Sequence, residues 1–226
     1  MARFFICLIQ RVVWIIDALY LTIGGKQGKI IGETMPNPND HFDTAKRVAA
    51  YEDATRQLAR LVGEIKMPDG FESKYNAITM VYKFRAAFQL PELRHSVLAG
   101  KYEHQRIQNA QFSAGFCGVA SYAWNHMFRM PNGAEIWKLK QTFNLYDRYG
   151  IPNHVWMENV ADGQILDLTF DQFVDAGGKI IEFPYEMGVP TSADISFPRG
   201  YEFGRHLGID LEEMMLINTM KSIGRK

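Results

Sequence analysis

The stretch Gln111-Phe-Ser-Ala-Gly-Phe-Cys117-Gly-Val-Ala-Ser121 decides the fold prediction for this chain. Small residues form a turn before Cys117, and the apolar residues that follow continue at helical spacing to Phe128. Cys117 is therefore predicted at the start of a helix, where exposed N–H groups favour a negative charge. Because the thiolate is the reactive form of cysteine, Cys117 is a candidate nucleophile.

Two later segments carry the partners that a thiol nucleophile needs, a base and a group that orients the base. His154 opens a predicted strand, and Asp167 closes the next one after an Asp162-Gly163 hairpin signal. A strict two-residue turn places Asp171 opposite His154, whereas a wider turn places Asp167 there. In both registers the two carboxylates share the His154 face of the sheet. Asp167 is the predicted third member of the site, and Asp171 is the alternative.

Helical patterns dominate before Cys117, and strand patterns dominate after its helix. The predicted helices are Asp43–Ile65, Phe71–Phe88, Val97–Ile107 and Val119–Phe128. The predicted strands are Ile136–Leu139, His154–Val160, Gln164–Thr169 and Lys179–Phe183. A helical turn at Phe170–Val174, a surface segment at Pro184–Arg205 and a last helix at Asp210–Ile223 complete the pattern. This order predicts an α+β fold in which a helical N-terminal half precedes a helix packed on an antiparallel sheet.

The composition favours an ordinary globular protein. The 226 residues are 47% hydrophobic and 22% charged, with 25 basic and 25 acidic residues. No basic stripe points to nucleic acid. The two cysteines, Cys7 and Cys117, fit neither a disulfide framework nor a zinc site, so no metal or cofactor is predicted. A reducing compartment is favoured: a cytoplasm, including one into which the protein is delivered.

The N-terminal segment differs from the rest, and we predict a division into an apolar segment, residues 1–34, and one α+β domain, residues 35–226. Residues 4–23 are strongly apolar but are interrupted by Gln10, Arg11 and Asp17. This pattern matches neither a transmembrane helix nor a cleaved signal peptide well. The alternatives are a helix packed on the domain or on a partner, a membrane-surface helix, an uncleaved export signal, or a true start at Met35.

The order of Cys117, then Asn153-His154-Val-Trp, then Leu166-Asp167-Leu-Thr resembles the papain-like and transglutaminase-like superfamily, over roughly residues 111–173. The resemblance implies a Cys-His-Asp triad that attacks an amide or ester of a protein or peptide substrate, as in a peptidase, amidase, deamidase or transglutaminase. Gln111 has the spacing of the oxyanion-hole glutamine of papain-like proteases, which implies that it and the Cys117 N–H are the oxyanion donors. The helical front half is similar to that of bacterial effectors and toxins of this superfamily.

The sequence also departs from the families that it resembles. Gly118 stands where papain-like proteases usually carry tryptophan, and Phe116 stands where transglutaminases carry glutamine. These departures leave the particular family open. Two other functions are weighed against the enzyme: a non-catalytic partner-binding module on the same fold, with a buried and unreactive Cys117, and a membrane-associated protein anchored by residues 4–23.

Overall fold

The computed structural model describes residues 44–71, 73, 75–98, 111–130, 134–145, 153–173, 179–191 and 197–209. The predicted boundary at residue 34, residues 4–23 and the predicted last helix from Asp210 lie outside these ranges. Helices come first, and a four-stranded antiparallel sheet follows, so the predicted α+β class is confirmed. The helices are α1 (Thr44–Glu64), α2 (Ala77–Ala87), α3 (Pro91–Val97), α4 (Cys117–Met127) and α5 (Phe197–His206). The strands are β1 (Trp137–Phe143), β2 (Asn153–Asn159), β3 (Ile165–Leu166) and β4 (Val189–Pro190).

Helix α1 follows its hydrophobic periodicity. Tyr51, Leu58 and Val62 recur at helical spacing and are buried on one face, and the charged residues of the other face remain exposed. Burying this stripe against the rest of the domain stabilises the helix, since most helical stability in proteins comes from the packing of an amphipathic face. The structure places α1 within one residue of its predicted bounds at each end.

Helix α2 begins later than predicted, and α3 was not predicted. The Asn76 Oδ1 accepts the N–H of Thr79 at 2.9 Å and caps α2, so this helix begins at Ala77 rather than at Phe71. Helix α2 ends at Ala87, within one residue of the predicted end at Phe88. Helix α3, which the sequence did not predict, begins at Pro91, because proline lacks only an N–H that the first helical position does not use. Most of the predicted helix from residue 97 to residue 107 lies outside the described residues.

The sheet has the order β3-β2-β1-β4. Strand β2 is its most buried strand. Residues 154–157 are buried in succession, as expected for a strand with both faces covered. Val155 and Met157 belong to the larger apolar core, which α4 shares. Trp156 belongs to a smaller cluster with Leu145, Phe173 and Phe183. Two apolar layers therefore meet at β2.

Two sequence predictions for the second half of the chain were wrong. Lys179–Phe183 is not a strand; Ile181 donates to the Phe173 carbonyl at 2.6 Å, and the sheet edge is taken by β4 instead. The segment Pro184–Arg205 does not simply wind over the surface, because it contains α5. The Phe203 side chain of this helix is fully buried, 5.0 Å from the Phe84 ring. Burial of that ring holds α5 on the core and overrides the Pro-, Gly- and Ser-rich composition of the segment.

Among the described residues, no helix has the length and apolar character that a membrane crossing requires.

Candidate active site

Cys117 is the first residue of α4 and is half-buried. The preceding residue, Phe116, provides no side-chain cap, so the first N–H groups of the helix have no partner from that residue. The turn before Cys117 is closed by hydrogen bonds from Ala114 N–H to the Gln111 carbonyl and from Phe116 N–H to the Ser113 carbonyl, at 3.2 and 3.1 Å. Gly115 has a φ of 81°, a left-handed conformation that most side chains disfavour. The turn thus presents the thiol at the positive end of a helix.

His154 and Asp167 form a buried pair. The His154 Nε2 lies 2.6 Å from Asp167 Oδ2, and the two side chains are 0% and 3% exposed. Three further donors fix the carboxylate: the Thr169 N–H at 2.9 Å, the Thr169 hydroxyl at 3.0 Å and the Tyr185 hydroxyl at 2.9 Å. This carboxylate therefore has little freedom to move away from the imidazole.

The observed pairing of β2 with β3 lies midway between the two hairpin registers predicted from the sequence. Met157 pairs with Leu166 and Glu158 with Ile165, which leaves a four-residue loop at 160–163. Strand β3 ends at Leu166, so Asp167 turns away from the ladder toward the imidazole. The structure thus brings Asp167 to His154 without placing the two residues directly opposite each other.

Asp171, the alternative third member, lies elsewhere. Its carboxylate accepts Nη1 and Nη2 of Arg85 at 2.5 and 2.9 Å, and the Ser113 hydroxyl at 2.7 Å. Arg85 is 1% exposed and also donates to Thr55 Oγ1 and to the Leu168 carbonyl. Burial would lower the pKa of Arg85, but the Asp171 carboxylate raises it above its ordinary value. This network joins α1, α2, the turn before Cys117 and the 3₁₀ turn Phe170–Gln172.

The charges of the buried pair support each other. Burial alone would lower the pKa of His154, but the charge and hydrogen bond of Asp167, joined by those of Cys117, raise it from 6.5 to about 9. Burial would raise the pKa of Asp167, but the imidazolium, the Thr169 N–H and the Tyr185 hydroxyl lower it. Cys117 is thus one of the groups that act electrostatically on His154.

Aromatic rings enclose the imidazole. Phe173 and Phe183 meet its ring edge-on, each at 4.8 Å between centroids, and Trp156 stacks at 5.8 Å. Trp156 is 1% exposed. The backbone crosses this ring closely at Gly188, where an added Cβ would lie 2.1 Å from Trp156 Cζ2. The segment 179–191 therefore covers the base and excludes water from it.

Two glutamines have different positions relative to the site. Gln111, the predicted oxyanion donor, lies half-buried at the start of the turn, and no hydrogen bond joins its side chain to Cys117 or His154 in the described part of the chain. Gln172, which the sequence did not single out, lies in the 3₁₀ turn with its Nε2 2.9 Å from His154 Nδ1. The predicted helical turn at 170–174, which directly follows the Leu166–Thr169 block, is the only signal in the sequence that included this residue.

A cavity of about 430 Å³ opens on the Asp167 side of the site, between α1 and the β3 region. Its walls are mainly apolar and include Leu58, Leu61, Ile165, Phe170 and Tyr185. Neither Cys117 nor His154 lines it. This cavity is therefore not where a carbonyl group would meet the thiol.

The described residues contain no group of three or more histidine, cysteine, aspartate or glutamate side chains that could hold a metal ion. In comparisons with known proteins, the chain matches no family model, no curated protein and no solved structure.

Proposed function

We propose that this protein is a cysteine-dependent acyl-transfer enzyme of the papain-like or transglutaminase-like kind, acting on an amide or ester of a protein or peptide. The observation that carries the proposal is the buried His154, bound to Asp167 at 2.6 Å and interacting with a thiol at a helix N-terminus. A nucleophile, a base and an orienting carboxylate are the parts that such a reaction requires. The burial of the pair strengthens its electrostatic interactions, since water is excluded from it.

The proposed chemistry starts once the Cys117 thiol proton has moved to His154, which gives a thiolate and an imidazolium, the state that the raised pKa of His154 favours. The sulfur then attacks the carbonyl carbon, and the electron pair of the carbonyl moves onto its oxygen. The Cys117 N–H, which has no carbonyl four residues back within the helix, donates to this oxyanion, and Gln111 is the second proposed donor. His154 protonates the leaving amine or alcohol, and a thioester remains on Cys117. His154 next removes a proton from the acceptor, which attacks the thioester and releases the thiol.

Asp167 acts in this scheme through His154 alone. Accepting Nε2–H fixes the tautomer that leaves the Nδ1 lone pair available, and the negative charge stabilises the imidazolium. Because Nε2 is committed to Asp167, the proton of the thiol must go to Nδ1.

Alkylation kinetics test the proposal. Iodoacetamide labelling of Cys117 is followed by mass spectrometry at pH 5–9 in a Cys7→Ser background, with and without His154→Ala. We expect labelling at pH 6 to be at least about 10-fold faster with His154 present, because an ordinary thiol ionises only near pH 8.5. Asp167→Ala should lose much of this advantage, and Asp171→Asn should keep it. Equal, slow labelling with and without His154 would sink the enzyme proposal and favour a binding module with an inert thiol.

The acceptor is identified by trapping. An aryl ester is incubated with the protein, with and without a primary amine, and Cys117→Ser serves as the control. Hydrolysis that the amine leaves unchanged indicates a hydrolase, whereas amide formation indicates a transglutaminase. No acyl adduct on Cys117 and no ester turnover above the control would contradict acyl transfer.

A further inference from the structure

Gln172 closes a ring of hydrogen bonds around the His154–Asp167 pair. The Gln172 Nε2 lies 2.9 Å from His154 Nδ1 and donates to Thr169 Oγ1 at 3.1 Å. The Thr169 hydroxyl in turn donates to Asp167 Oδ1 at 3.0 Å, and Asp167 Oδ2 binds His154 Nε2. All four side chains are buried, at 5% exposure or less.

The direction of each hydrogen bond in this ring follows from the Asp167 carboxylate, which can only accept. The Thr169 hydroxyl has one hydrogen and donates it to Asp167. Its oxygen can therefore only accept a hydrogen bond from Gln172. The side chain of Gln172 must therefore present its NH₂ group to Thr169, and the second hydrogen of that group points at His154 Nδ1. An N–H donor at this position needs a lone pair on Nδ1, which is the neutral imidazole protonated on Nε2.

We propose that Gln172 is a positioning residue for His154, whose amide N–H holds the neutral Nε2–H tautomer and must turn away when Nδ1 gains a proton. This inference rests on the proposed function where it makes Nδ1 the acceptor of the thiol proton. The thiol and the Gln172 amide then use the same lone pair. When the proton moves from sulfur to Nδ1, two donors face each other, so the amide must turn away and its hydrogen bond to Nδ1 is lost.

Among the residues that the structure describes, few charged or titratable groups face His154. Asp167 after β3 and Cys117 on α4 favour the imidazolium, and Tyr185 acts through Asp167. The aromatic rings that contact the imidazole in the described part of the chain, Trp156, Phe173 and Phe183, carry no charge. Gln172 thus opposes the protonation that Asp167 and Cys117 favour, and its removal should make Nδ1 easier to protonate.

Histidine ¹⁵N spectra test this inference without relying on activity. The Nδ1 and Nε2 shifts of His154 are followed from pH 5 to pH 10 and assigned by their loss in His154→Gln. We compare wild type with Gln172→Met, which has similar length but no donor, and with Gln172→Glu, which places an acceptor at Nδ1. A net hydrogen bond is worth about 1 kcal/mol, so the proton-binding constant of Nδ1 should rise roughly 3- to 10-fold in Gln172→Met. It should rise further in Gln172→Glu.

Thr169→Val provides a second variant if Gln172→Met fails to fold. It keeps the glutamine but removes the oxygen that orients the amide, so proton binding at Nδ1 should again tighten. Unchanged or weaker proton binding in the folded variants would overturn the inference. If proton binding is unchanged or weaker while labelling of Cys117 still depends on His154, only the proposed role of Gln172 is refuted. If the expected order of proton affinities appears but labelling does not depend on His154, the positioning role stands and the enzyme proposal falls.

Discussion

Replacing Asp171 with asparagine is expected to destabilise the fold without touching the proposed chemistry. The variant keeps the size of the side chain but removes the charge that faces Arg85, a guanidinium that is 1% exposed. The lost carboxylate accepts two guanidinium hydrogen bonds, at 2.5 and 2.9 Å, and one from the Ser113 hydroxyl. Breaking a buried ion pair from one side costs about 3–5 kcal/mol, because the remaining charge stays buried without its partner.

The magnitude converts into a thermal shift. For a domain of 150–250 residues, each kcal/mol lowers the melting temperature by about 2–4 °C, so a loss of roughly 6–20 °C is expected. Circular dichroism at 222 nm measures it. The matched control is Glu64→Ala, which breaks an exposed pair with Arg60 whose side chains are 81% and 61% exposed and should leave the midpoint nearly unchanged.

A double variant distinguishes the loss of the ion pair from the loss of side-chain packing as the cause of the destabilisation. Arg85→Met with Asp171→Leu replaces both charges with apolar groups and should recover most of the lost stability, because no isolated charge stays buried. A melting temperature of Asp171→Asn within about 2 °C of wild type would refute the reasoning. Slow alkylation of Cys117 in the folded Asp171→Asn protein would show instead that Asp171 acts on the base.

Three further outcomes are expected. The folded-state pKa of His154 lies above its unfolded value, so protonation of His154 stabilises the fold by up to roughly 3 kcal/mol. This stabilisation is fully present below pH 6.5 and is lost as the pH rises through about 9. Melting curves from pH 6 to pH 10 should show the loss, and in His154→Gln this pH dependence should disappear. Gly188→Ala should lower the free energy of unfolding by about 1–3 kcal/mol in urea titrations, since the new methyl group meets Trp156 Cζ2 at 2.1 Å; an unchanged midpoint would contradict the close approach. Phe203→Ala should cost about 3–5 kcal/mol by the same assay, because its ring is fully buried; a cost below about 1 kcal/mol would mean that α5 is not held by this ring.

Local patterns in the sequence predicted much of this architecture. The helical spacing of Leu58, Leu61 and Val62 is enough to place α1, because a helix buries one face at a fixed period. Cys117 at a helix start and His154 at a strand start also follow from local signals. The meeting of His154 and Asp167 required a hairpin, which the Asp-Gly signal favoured without fixing its register.

Contacts between distant parts of the chain could not be predicted in the same way. The pairing of Arg85 with Asp171 spans 86 positions, and nothing in the local sequence of either residue indicates its partner. Pro91 is compatible with both a helix end and a helix start, and only the surrounding packing decides between them. The contact of Gln172 with Nδ1 depends on a 3₁₀ turn that bends the chain back toward β2.

The rings around His154 also give this residue a spectroscopic signature. Phe173 and Phe183 meet the imidazole edge-on and Trp156 stacks on it, so their ring currents shift its carbon-bound protons away from ordinary histidine positions. The chain has six histidines, and an unusual shift separates this one from the others in a simple proton spectrum. The covering of the base therefore makes its titration measurable in the intact protein, with no substrate and no attached probe.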